Sequence, residues 1–200
     1  MTWSDSLGRI AAQLSNHRPS LYPTEELDDL IDLKISKLST DSFGEEQRSF
    51  AIAVKAGLHV WNESLDDSHE LSQQLHTREG SYWHGMMHRM EGDYSNADYW
   101  FRMAGGHPAE TAWGAACAKW TADYSWDNIA SVSLREAIRS WAQRDRPDAI
   151  GFCELVRLQV TKARDENAEQ LLKELQREEI LTLLQACYAN SGGGSLFDNL

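Results

Sequence analysis

Residues 79–108 read EGSYWHGMMHRMEGDYSNADYWFRMAGGHP, and their punctuation decides the fold. A helix is expected from about Gly80 to Glu91, followed by a turn at Gly92-Asp93. A shorter helix from Asn96 to Met103 then stops at Gly105-Gly106 and Pro108. So short a connection implies an antiparallel helical hairpin. Gly85 is expected to face Ala97 or Phe101, because only a small residue lets the two helices approach closely there.

Polarity sits where such a hairpin wants apolar side chains. At about 100° per residue, His84, His88 and Glu91 fall within roughly 60° of one another on the first helix. The preceding helix, expected over about Asp66 to Thr77, carries His69, Gln73 and His76 at i, i+4 and i+7. Each helix therefore bears a three-residue polar stripe, and antiparallel packing can turn the stripes together. Four of the seven histidines lie within residues 69–88.

Imidazoles at i, i+4 project from adjacent turns on one side of a helix, and a carboxylate three residues on completes a set usable by Zn²⁺ or Fe²⁺. His84-x₃-His88-x₂-Glu91 has that spacing, with His69 as the natural further ligand. These four are the candidate metal ligands, and at least three are expected within about 5 Å of a common point, a loose allowance for metal bonding. The plainer reading is a set of half-buried histidines hydrogen-bonded to Tyr82, Tyr99, Asp93 or backbone carbonyls. A third is a metal-free acid–base site in which Glu91 orients an imidazole, with His84, His88 and Glu91 as catalytic candidates. No His-Glu-x-x-His occurs, so the usual helical zinc-protease motif is absent. Gln73, His76, Tyr82 and Tyr99 are candidate ligand contacts beside the cluster. Arg89, Asp93 and Arg102 read either as a salt-bridged turn or as an arginine fork for a carboxylate or phosphate. Asn96 reads as an N-cap or as a ligand contact.

The rest of the chain supports one all-α domain over residues 1–190, of about nine helices in hairpin or repeat-like packing, and a flexible Gly-rich tail over 191–200. The first helix is expected over Ser4–Leu14 and the second from Thr24, as N-cap, to Lys37. Residues 45–63 form the third. Later helices run from about Ala109 to Tyr124, from a cap at Ser125 or Asp127 to Arg144, from Pro147 at a first turn, and over about 166–189. Leu171, Leu172, Leu175, Ile180, Leu183 and Leu184 make an apolar band on the last, read as core or as the seam of a homodimer. Most of the eight tryptophans are expected in the core, with an exposed aromatic cleft as the alternative.

Composition excludes several functions. Nineteen basic against 31 acidic residues give a net charge of −12, which repels a phosphate backbone, so nucleic-acid binding is not expected. No apolar run approaches the roughly 18–20 residues that span a bilayer, and no secretory signal is apparent. Cys117, Cys153 and Cys187 are odd in number and far apart, as reduced thiols in a cytoplasmic protein are. There is no Gly-rich phosphate loop, no G-x-S-x-G elbow and no local Cys–His pair.

Residues 79–108 resemble a single tetratricopeptide-type hairpin: Gly85 matches its small contact residue, Gly92-Asp93-Tyr94 its turn, and Ala97, Phe101 and Ala104 the small–aromatic–small pattern of its second helix. Pro108 falls one residue early, and no second copy is found in register. The string YWHGMMHRMEGDYSNADYWF also resembles a motif in a group of functionally uncharacterised helical proteins from bacteria and fungi. That likeness reaches back to Trp61, Ser68-His69 and Gln73 and forward to His107-Pro108, and implies that the polar cluster is shared by the group. Two functions follow as expectations. One is a ligand- or metal-binding helical domain, with catalysis of unspecified reaction, taking a small molecule and a divalent Zn or Fe ion. The other is a non-enzymatic, tetratricopeptide-like module that binds a protein or peptide in a groove.

Overall fold

Thr77 and Gly92 bracket the helix that carries two of the three central imidazoles. Thr77 Oγ1 accepts from the Gly80 N–H at 3.1 Å, satisfying one orphan donor of the first turn. Gly92 ends the helix in the left-handed region, at φ +83°, where a side chain is disfavoured. The computed structural model describes residues 2–144 and 146–197. Within them the chain forms ten α-helices and no strand. These are α1 (Trp3–Leu14), α2 (Asp29–Ser36), α3 (Glu45–Trp61), α4 (Leu65–Ser72), α5 (Arg78–Glu91), α6 (Tyr94–Ala104), α7 (Ala109–Ala122), α8 (Val132–Ala142), α9 (Ala149–Leu158) and α10 (Glu166–Asn190).

The helices pack into one all-helical domain built around α10. Its 25 residues run through two adjoining apolar clusters. Leu171, Leu172 and Leu175 sit with Trp113, Trp141 and Phe152 in one; Ile180, Leu183 and Leu184 sit with Trp61, Trp83 and Met86 in the other. All six of those α10 residues are at most 3% exposed, each contributing about 1.5–3 kcal/mol of burial. The band is thus used up inside one chain, and the homodimer seam expected on it is not available. Trp61, Trp83, Trp113 and Trp141 are fully buried, four of the eight tryptophans where most were expected in the core, and Trp120 is 40% exposed.

Antiparallel α5 and α6 form the hairpin. A Cβ on Gly85 would stand 2.9 Å from the Phe101 ring, which is the close approach the sequence calls for. Several boundaries move. The second helix starts at Asp29, not Thr24, because Asp28 accepts from the Leu30 N–H at 2.7 Å while the Leu27 N–H is taken by the Asn62 carbonyl. Helix α4 stops at Ser72, five residues short of Thr77, which leaves it to cap α5. Asp93, not Asn96, caps α6, accepting from the Asn96 N–H at 3.1 Å. Trp126–Asn128 make only a 3₁₀ turn before α8, and Asp148 caps α9, so Pro147 precedes the cap instead of lying in the first turn. The tail is not free as far as Phe197. Leu196 is buried, its N–H donates to Gln185 Oε1 at 2.8 Å, and Phe197 meets the Trp61 ring edge-on at 6.1 Å. The remainder of the expected tail, 198–200, lies outside the described residues.

Candidate imidazole centre

The connection from α4 to α5 sets three imidazoles against one another. His69 projects half-buried from α4, and His84 and His88 project from successive turns of α5, 4% and 9% exposed. Ring centroids of His69 lie 4.7 Å from His84 and 5.6 Å from His88, and His84 and His88 are 4.8 Å apart. One nitrogen from each of the three falls within 4.8 Å of the other two. Three nitrogens bonded to one zinc at about 2.0–2.1 Å stand roughly 3.4 Å apart, so rotamer shifts of about an ångström close the set on an ion.

The two α5 rings have different surroundings. His84 lies flat on Trp100 of α6, centroids 4.0 Å apart and planes 14° apart. Its Nδ1 is buried without a hydrogen-bond partner. Burial, then the neighbouring His88 and His69, holds its pKa down at about 4, so it is a neutral imidazole at neutral pH. His88 is held at both nitrogens: Nδ1 lies 2.9 Å from Glu91 Oε2, and Nε2 lies 3.0 Å from the Asn96 amide nitrogen. With the amide donating, Nε2 is the acceptor and Nδ1 carries the proton toward Glu91. A carboxylate on the far nitrogen of an imidazole is how metal-binding histidines are oriented. For Nε2 to bind a cation, the Asn96 amide must swing away.

Glu91 was expected among the ligands themselves. It is exposed, and its carboxylate grips the outer nitrogen of His88 instead of joining the three imidazole nitrogens. The stripe on the preceding helix does not form either. Because α4 ends at Ser72, Gln73 is its C-cap, His76 follows in the connection, and both side chains are exposed. Only His69 of that stripe reaches the cluster. Tyr82 donates to Glu179 Oε1 at 2.8 Å in the core, and Tyr99 is 54% exposed on α6, so neither fixes an imidazole. Arg89 is wholly buried, 2.6 Å from Glu179, whereas Arg102 pairs with Asp98 at 3.0 Å on the surface. Neither pairs with Asp93, so there is neither an arginine fork nor a salt-bridged turn. Asn96 serves the role that the tyrosines were expected to fill; its spacing from His88 crosses a turn, which helical periodicity does not reveal.

Cysteine chemistry finds no foothold. Cys117, Cys153 and Cys187 are buried free thiols, and burial pushes Cys153 up to about 12 and the other two higher still. Among the described residues no helix is long and apolar enough to cross a membrane. Fold and site together define an all-helical protein with an inter-helical imidazole cluster. Protein-family models, curated proteins and solved structures offer no match to this chain.

Proposed function

We propose that this chain is a helical metal-binding domain whose ion-binding face is His69, His84 and His88, with Glu91 orienting His88. The observation that carries this reading is the convergence of three imidazole nitrogens, one from each ring; beside it, the Nδ1 of His84 is buried without a hydrogen bond. A structural hairpin gains nothing from an unpaired buried nitrogen, which costs about 1–3 kcal/mol. A neutral imidazole kept from protonation is already in the state that binds a cation. Nitrogen donors of this kind suit Zn²⁺ or Fe²⁺ better than Mg²⁺ or Ca²⁺. An ion of that class held by these three imidazoles would supply Lewis acidity toward water or a small ligand, which is the setting for catalysis by a small enzyme. Elemental mass spectrometry of protein purified without a histidine tag tests the proposal. About one transition-metal ion per chain is expected; metal-free protein that also takes up none on incubation with zinc contradicts it.

A second reading, the tetratricopeptide-like interaction module, is favoured by one observation. Tyr99 and Met103 stand four residues apart on α6, 54% and 57% exposed, as an apolar pair on the outer face of the hairpin. Metal-free protein with an intact fold would favour that module.

A further inference from the structure

A second set of donors lies away from the three imidazoles, where α2, α3 and α4 meet. His59 on α3 is 3% exposed, and its Nδ1 lies 3.0 Å from Asp32 Oδ1 and 3.7 Å from Asp67 Oδ2. One donor atom from each residue falls within 4.8 Å of the other two. Bonds of about 2.0–2.2 Å set neighbouring ligands roughly 3.0–3.5 Å apart on one ion, which is close to this spacing.

The chain goes out of its way to build the turn that presents them. Glu63 joins α3 to α4 in the left-handed region at φ +63°, a conformation that non-glycine residues avoid. Its carboxylate, 2.8 Å from both His17 Nε2 and the Ser20 N–H, holds it there. Ser64 stands at the N-cap of α4 yet makes no capping bond; its hydroxyl goes to Asp32 Oδ1 at 2.5 Å. Asn62, wholly buried, sets its amide nitrogen 2.9 Å from Asp32 Oδ1, 3.0 Å from Ser64 Oγ and 3.1 Å from the Asp28 carbonyl. Its Oδ1 is buried with no partner at all. Three acceptors crowd an amide with only two hydrogens while its own oxygen is orphaned. Turned over, that amide would bring the oxygen in beside a carboxylate and a hydroxyl, a grouping of oxygens that suits a hard cation.

Asp32, Ser64 and Asp67 also line a cleft of about 480 Å³. Five further carboxylates line it, Glu91 among them, and among the described residues no Lys or Arg does. Its field concentrates cations, and Asp67, with its side chain 53% exposed, leaves room for water on a bound ion.

We propose that Asp32, His59 and Asp67 form a second divalent-cation site on the floor of this cleft, distinct from the imidazole centre. One imidazole nitrogen with two carboxylates is a harder donor set than three imidazoles, and it suits Mn²⁺, which favours carboxylate and water. The test is titration of the metal-stripped full chain with Mn²⁺, followed by the loss of the free-ion electron paramagnetic resonance signal. One saturable Mn²⁺ per chain is expected. Asp67→Asn, at a half-exposed position that leaves the fold intact by circular dichroism, should weaken it at least about tenfold. Asp66→Asn, one residue away on the same wall, should leave it unchanged, and so should His69→Gln. Absence of saturable uptake, or full uptake by Asp67→Asn, overturns the proposal and makes the cluster a hydrogen-bonded joint. Equal loss in Asp66→Asn reduces it to a diffuse acidic field, and loss in His69→Gln assigns the ion to the other centre; either also overturns it.

Discussion

His84 lies face to face with Trp100, ring centroids 4.0 Å apart, so the imidazole centre is roofed by the second helix of the hairpin. Removing that roof should do two things. Trp100→Ala should cost about 1–2 kcal/mol of stability, from the lost stack and partial burial. It should also let water reach His84, so that its pKa, read by proton NMR, climbs from about 4 back toward 6.5. A pKa unchanged in that variant would mean that the roof does not desolvate the ring.

Metal-free protein should lose stability in mild acid through the same residue. His84 titrates at about 4 when folded and at 6.5 when unfolded. Between those values the unfolded chain binds more protons, so stability falls as the pH drops from 6.5 to 4 and levels off below. Discounted for solvent screening, the contribution is at most on the order of 2–3 kcal/mol. Urea midpoints measured across that window in a chelator should show the slope, and His84→Gln should flatten it.

Gly85→Leu should destabilise the hairpin by about 1–3 kcal/mol through overpacking, since even a Cβ there stands 2.9 Å from Phe101. Thermal melts of the variant check it, and Gly85→Ala should fall between the two.

The buried pair Arg89–Glu179 makes an opposite kind of test. Its guanidinium lies 4.8 Å over the Phe152 ring and 2.6 Å from Glu179, with Gln176 and Tyr82 completing the network. Arg89→Met strands a carboxylate in the core and should cost about 3–5 kcal/mol. Adding Glu179→Gln should recover part of that loss in chemical denaturation, because the stranded charge is then removed.

Much of the hairpin was legible because it rests on local chemistry: Gly92 for the turn, Gly85 for close approach, and the i, i+4 spacing of His84 and His88. The fold class followed from the same periodicity. What the sequence hid was decided by competition between neighbours. Thr77 can end one helix or cap the next, and its bond to Gly80 settles it, at the expense of the stripe through Gln73 and His76. Thr24 looks like a cap, but Asp28 has the free N–H groups within reach. Arg89 shares the polar helix with His84 and His88 yet points the other way, to Glu179 ninety residues on, which no local pattern reveals. His59 gave no signal either, since its partners Asp32 and Asp67 come from two other helices.

The central claim is that His69, His84 and His88 bind one transition-metal ion. Calorimetric titration of metal-stripped Asp67→Asn protein with Zn²⁺ tests it most directly, because that substitution removes a ligand from the second cluster. One zinc per chain should bind, release protons and raise the melting temperature. Binding and the thermal gain should both vanish when His84→Ala and His88→Ala are added, while His69→Gln should weaken zinc by at least about tenfold. Zinc uptake and melting temperature unchanged in the folded His84→Ala/His88→Ala protein would contradict the account.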